Sequence, residues 1–127
     1  MRAIDTNVLV RLITRDDAKQ VDVAQAFVAK GVWVSHVVLA ETAWVLSATY
    51  DLPPAEIGTA IEMLLNHQQL TLQDADVVSA ALSHYRQRPA LGFSDCLVLE
   101  IARKAGHLPL GTFDKRLSRL DGTEHLS

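Results

Sequence analysis

Short apolar segments alternate with longer amphipathic ones along this chain, and the alternation predicts strands and helices in turn. Arg2–Asp5 reads as the end of a buried strand. Thr6 or Asn7 then opens a helix carrying Val8, Leu9, Leu12 and Ile13 on one face, at steps of three and four. A second helix is predicted from about Asp16 to Lys30, with Val21, Ala24, Phe27 and Val28 inward and Gly31 as its stop. Val32–Val34 is a second strand, and Ser35 or His36 opens a helix through Tyr50. Pro53 and Pro54 begin the next helix, with Ile57, Ile61, Leu64 and Leu65 inward, because proline is well tolerated in a first helical turn. Leu70–Leu72 is a third strand. Asp74 caps a helix whose apolar face is Val77, Val78, Ala81, Leu82 and Tyr85. Ser94 caps another, with Leu97, Val98, Ile101 and Ala102. Leu108–Phe113 returns as a strand, followed by a basic turn and a short ending at Glu124–Leu126.

Strand–helix alternation of this kind points to an α/β fold with a parallel sheet, whose ligand sites lie at the carboxyl ends of the strands. The polar stretch Arg86–Gly92 is too short to divide domains, so residues 1–127 are read as one domain. At 127 residues, 49% hydrophobic and 21% charged, the chain is too apolar to be disordered. That excess also suggests that some surface is covered by another chain. No segment has the run of roughly 18 apolar residues that a membrane span needs. Asp5 interrupts the apolar N-terminus and argues against a signal peptide. The one cysteine, Cys96, forms no internal disulfide and fits a cytoplasmic location.

Four acids stand where strands end or helices begin. Asp5 follows the first strand, Asp114 follows the late strand, and Asp95 lies in the first turn after Phe93. Glu41 interrupts the apolar run Val37–Ala40 about five residues into its helix, where an unpaired buried carboxylate is costly. Taken singly, Asp95 serves a helix dipole, Asp114 a turn and Glu41 a salt bridge. Together they have one shared explanation. Converging carboxylates repel one another unless a cation compensates, and Mg²⁺ or Mn²⁺ prefers such oxygen ligands. Zinc fits less well, since Cys96 is the only thiol and His36, His67, His84, His107 and His125 have no close ligand spacing. The histidines read as surface or structural residues, and Cys96 as a packed one.

At these residues the sequence resembles the PIN-domain ribonucleases, and within them the VapC-type toxins of type II toxin–antitoxin pairs. Asp5–Leu9 resembles the opening motif, Leu39–Thr42 the second, Phe93–Leu97 the third and Gly111–Asp114 the fourth. The resemblance implies a three-layer sandwich, with a central, mainly parallel sheet of four to five strands flanked by helices. It implies a Mg²⁺-dependent endoribonuclease, with Mn²⁺ as a substitute, hydrolysing RNA to leave a 5′-phosphate and a 3′-hydroxyl. Asp5, Glu41, Asp95 and Asp114 would be the catalytic and metal-binding tetrad, with Asp5 and Asp95 the first metal ligands. Thr6, Asn7, Ser94 and Thr112 match supporting polar positions. The implied partners are an RNA substrate, a cognate antitoxin and a second copy of the chain in a homodimer or higher oligomer.

The formal net charge of −3 does not advertise a nucleic-acid binder. Of the 15 acidic residues, however, four are the tetrad, and the other 11 nearly balance the 12 basic ones. Arg11, Arg15, Arg86, Arg88, Lys115, Arg116 and Arg119 are the candidates for RNA phosphate contacts. Stacking aromatics look scarce, with Trp33 reading as strand core and Trp44 and Tyr85 as helix packing. Trp44, Leu46, Tyr50, Leu52, Leu64 and Leu65 are divided between core and a partner surface. Three readings compete with the toxin: a PIN nuclease of RNA processing, a non-catalytic PIN-like binding module, and a phosphatase-like phosphotransfer fold. Asp5-Thr6-Asn7 lacks the second aspartate that the last of these requires.

Overall fold

A computed structural model describes residues 1–127. The N-terminal strand β1 (Arg2–Ala3) leads into α1 (Thr6–Thr14) and α2 (Ala18–Val28). Strand β2 (Val32–Val34) is followed by α3 (His36–Ala48) and α4 (Pro54–Asn66), and β3 (Leu70–Leu72) by α5 (Ala75–Gln87). A 3-10 turn at Pro89–Leu91 precedes α6 (Phe93–Ala105), β4 (Leu110–Thr112), a second 3-10 turn at Leu117–Arg119 and β5 (Thr123–His125).

Every strand pairing is parallel. Strands β1, β2 and β3 lie in that order, with Arg2 opposite Val32 and Val34 opposite Leu72. Strands β4 and β5 form a separate ribbon, Gly111 facing Glu124. This is the α/β arrangement of parallel strands and flanking helices that the alternation predicts, with its five strands divided three and two rather than joined in one sheet. Parallel pairing brings the carboxyl ends of β1, β2 and β3 to a common edge. Gln73 fastens that edge: its backbone N–H donates to the Val34 carbonyl at 2.8 Å, and its side-chain oxygen accepts from the His36 N–H at 2.9 Å.

A single apolar core joins Leu9, Val32, Val34, Leu39, Leu46, Ile61, Val78, Leu97 and Leu99, all essentially without solvent contact. Helices α4 and α5 bury the faces that the periodicity predicts, apart from half-buried Leu65. Elsewhere the structure corrects the pattern. Arg2 and Ala3 are exposed, so β1 is an uncovered edge and only Ile4 enters the core. In α6 the core face is Phe93, Cys96, Leu97, Leu99 and Glu100, while Val98 and Ile101 face outward. The frame shifts because α6 begins at Phe93 with Gly92 as its cap, not at Ser94. Gly92 has φ of +77°, a backbone region that residues with a Cβ rarely adopt. Asp74 does precede α5, but its side chain caps nothing and bonds Lys104 instead.

Candidate active site

Asp5 lies at the carboxyl end of β1 because it caps α1: its Oδ1 accepts from the Val8 N–H at 3.1 Å. No hydrogen bond engages its other carboxylate oxygen. One residue on, Thr6 Oγ1 donates to Glu41 Oε1 at 3.3 Å, drawing α1 and α3 together at the site. Glu41 is exposed rather than buried, which overturns the desolvation argument for its role. Helix α3 buries His36, Leu39, Thr42, Ala43 and Leu46, and Glu41 faces away from that side.

Asp95 and Asp114 form a second pair of neighbouring acids. Asp95 is half-buried in the first turn of α6, and its carboxyl is pushed above the usual range, by burial first and by the charge of Asp114 second. Asp114 follows β4 in a tight turn: its N–H donates to Thr112 Oγ1 at 3.0 Å, and its Oδ1 accepts from the N–H groups of Arg116 at 2.7 Å and Leu117 at 3.2 Å. Thr112 thus supports the acid. Ser94 is exposed beside Asp95, and Asn7 is exposed beside Asp5, each lining the groove next to its acid.

The structure therefore joins Thr6 with Glu41 and Asp95 with Asp114. No three His, Cys, Asp or Glu side chains stand close enough together to hold an ion. The chemistry of the donor set fits a hard divalent cation nonetheless. The ion pairs of this chain use Asp16, Glu62, Asp74, Asp76 and Glu100, and none of the four candidate acids pairs with a lysine, arginine or histidine side chain. Carboxylates that repel one another and have no protein cation are suited to an exogenous one.

The basic candidates divide. Arg11 is committed to Asp16, Gln20 and Tyr50, and Arg86 to Glu62 and the Gly58 carbonyl. Arg15 caps the far end of α1 and lines a groove with His67 and Gln69, at the opposite edge of the sheet from Asp5. Arg88, Arg116 and Arg119 line one cavity together, and Lys115 is exposed in the same turn as Arg116.

Aromatic residues depart most from the sequence reading. Trp33 is 38% exposed and Trp44 66%, so neither is the buried packing residue expected; Tyr85 is buried as expected. Phe113, next to Asp114, is 77% exposed. A signal for Trp44 existed: it stands three residues after Glu41, and so on the same exposed face of α3. Among the histidines, His84 bonds Glu100, and His36 is buried with an unpartnered Nε2.

Parallel strands flanked by helices, with Asp5 after β1 and Asp114 after β4, define an α/β domain with acids at strand ends. The PIN-domain family matches this chain over residues 3–123, and the chain belongs to that family. PIN domains are a family of nucleases that typically depend on divalent metal ions. No curated protein and no solved structure matches the chain significantly. No helix is long and apolar enough to cross a membrane.

Proposed function

We propose that this protein is a Mg²⁺-dependent endoribonuclease that hydrolyses RNA phosphodiester bonds and serves as the VapC-type toxin of a toxin–antitoxin pair. One observation carries the nuclease reading. Asp5, Glu41, Asp95 and Asp114 all lie within the matched PIN domain, and no lysine, arginine or histidine side chain pairs with any of them.

Asp5 and Asp95 would hold the ion, with Glu41 or Asp114 taking a second, weaker position. A divalent ion at such a site supplies Lewis-acid chemistry, activating water near neutral pH and stabilising charge at the departing oxygen. The chain's own contribution is orientation. The Val8 N–H fixes one oxygen of Asp5, the Thr6 hydroxyl fixes one oxygen of Glu41, and the N–H groups of Arg116 and Leu117 fix one oxygen of Asp114. Each carboxylate keeps its second oxygen free.

The toxin reading is supported by a groove of about 900 Å³ between α1 and α2, lined in part by Ile4, Val8, Val23 and Phe27 and opening beside Asp5. An apolar antitoxin segment lying there would cover the site. A homodimer is part of the same reading.

The test is cleavage of structured and single-stranded RNA by the purified chain with Mg²⁺, Mn²⁺ or EDTA. Cleavage should stop in EDTA, and Asp5→Asn and Asp95→Asn should each lose most activity while remaining folded. Full activity in either variant overturns the site. Induced expression should arrest growth and the Asp5→Asn form should not; equal harm from both overturns the toxin role.

A further inference from the structure

The exposed face of α3 is unusual for a helix packed on a core. Val37 is 69% exposed and Trp44 66%, and Glu41 lies between them at helical steps of four and three. Residues so spaced stand above one another, so the carboxylate is flanked along one stripe by two uncovered apolar side chains. An indole left in water forgoes the free energy that burying its surface would return.

Trp44 also faces something. It lines a groove of about 300 Å³ whose other wall includes the Pro89–Leu91 turn, Ser94 and Asp95. Ala90 and Leu91 of that turn line a second cavity as well, of about 410 Å³, lined also by Arg88, Arg116 and Arg119. None of these guanidiniums meets a carboxylate side chain. The backbone of the Arg116 turn is held to Asp114, the neighbour of Asp95, by the 2.7 Å bond to Oδ1. An exposed indole, the Asp95 carboxylate and three arginines without ion-pair partners thus line two cavities that share the Pro89–Leu91 turn.

Three arginines lining one cavity fit an anion with several acceptor oxygens, and an exposed indole fits the face of a base. Only a polynucleotide offers both in alternation. In a duplex the base faces are already covered by their neighbours, so the indole selects an unpaired strand. We propose that Trp44 and the Arg88–Arg116–Arg119 cluster, joined by the Pro89–Leu91 turn, form a subsite for single-stranded RNA. One base stacks on the indole, and adjoining phosphates rest on the guanidiniums as the strand passes Asp95. The choice of RNA rests on the nuclease reading above; the subsite itself rests on the two cavities.

The experiment measures binding without cleavage. Anisotropy of a fluorescein-labelled single-stranded RNA of about ten nucleotides is followed in EDTA with the full chain. The same sequence is also tested within a duplex and as single-stranded DNA. Trp44→Ala should raise Kd on the order of 10-fold and Trp44→Phe should recover most of it, since a base–aromatic stack is worth about 1–3 kcal/mol. Replacing Arg88, Arg116 and Arg119 together by Gln should lower the log–log salt slope by about 2, at roughly 0.7 per phosphate contact on single strands. Arg15→Gln, at the opposite edge, should change neither. In a Trp33→Phe background the remaining indole fluorescence should be quenched by the strand.

Equal affinity for the duplex, an unchanged Kd in Trp44→Ala, or no RNA binding would overturn the subsite even if Mg²⁺-dependent cleavage is intact. A Trp44→Ala change in oligomeric mass with RNA affinity unchanged would assign the indole to a second copy and overturn it too. Binding with the stated Trp44 and arginine dependence but no cleavage in Mg²⁺ would uphold the subsite and sink the nuclease reading. DNA bound as well as RNA, with the same dependence, would support the same single-strand seat.

Discussion

Thr6 Oγ1 donates to Glu41 Oε1 at 3.3 Å, linking the residue after Asp5 to an acid 35 positions later. The hydroxyl holds Glu41 on the α1 side of the site, and it is the only side-chain donor that does so. Thr6→Val keeps the shape and removes the donor. Partners that orient metal ligands are typically worth 10–100-fold in activity or affinity, so a loss of about that size is expected, with Thr6→Ser close to the parent. Mg²⁺ titration of the initial cleavage rate checks it: the required Mg²⁺ concentration should rise in Thr6→Val, while the melting temperature stays nearly constant. An unchanged Mg²⁺ requirement would show that the bond is incidental.

The parallel architecture and the places of Asp5, Asp95 and Asp114 were legible because they depend on local signals: apolar runs, their ends and the acids that follow. The exposure of Glu41 was not. An acid between Val37–Ala40 and Ala43–Trp44 looks buried when only sequence neighbours are considered, yet α3 has one exposed face and Glu41 lies on it. The same missing cover hides Trp44 from a reading that equates tryptophan with packing. The α6 frame was misread because Ser94 is a better capping residue than glycine by preference, whereas the positive φ at residue 92 decided the start. The arginines were indistinguishable by composition. Only tertiary partners separate Arg11 and Arg86, which are engaged, from Arg88, Arg116 and Arg119, which are not.

Asp95→Asn should stabilise the protein while disabling it. Burial and the neighbouring Asp114 raise the Asp95 carboxyl above its ordinary value, so the folded state pays to ionise it. For a raised acid the stability is greatest below the unfolded pKa, about 3.9, and is lost as pH rises through the folded value. The neutral amide escapes that loss. Urea unfolding in EDTA should therefore find the variant more stable than the parent at pH 7, with the advantage shrinking toward pH 4. A variant less stable at pH 7 would mean that Asp95 has a stabilising partner in solution.

Cys96 should be chemically silent in the native protein. It is fully buried, and burial, with Asp95 and Glu100 nearby, pushes its thiol up to about 11. At pH 8 that leaves about one part in a thousand as thiolate, the reactive form. A disulfide reagent should label Cys96 only in urea, and Cys96→Ser should retain the Mg²⁺ dependence of cleavage. Rapid labelling of the folded chain would contradict the packing of α6.

Glu100 should matter more to stability than any other ion-paired acid. Its carboxylate, 8% exposed, bonds His84 Nε2 at 3.0 Å and Arg103 Nε at 3.2 Å. Arg103 in turn donates to the Asp121 carbonyl at 2.7 Å, and a Cβ at Gly122 would come within 3.0 Å of its guanidinium. One buried carboxylate thus ties α5 and α6 to the turn that leads into β5. Glu100→Ala strands a partly covered guanidinium and releases that turn. A cost of about 2–3 kcal/mol is expected, below the full penalty for a wholly buried pair because Arg103 and His84 keep some solvent contact. Glu62→Ala breaks the pair with Arg86, whose partners are both about half exposed, and should cost less than about 1 kcal/mol. Urea unfolding of the two variants gives the comparison. Hydrogen exchange locates the damage, since Thr123–His125 should open first in Glu100→Ala while Val32–Val34 keeps its protection. Equal costs at the two positions would mean that Glu100 is solvated in solution and that β5 is held by its pairing with β4 alone.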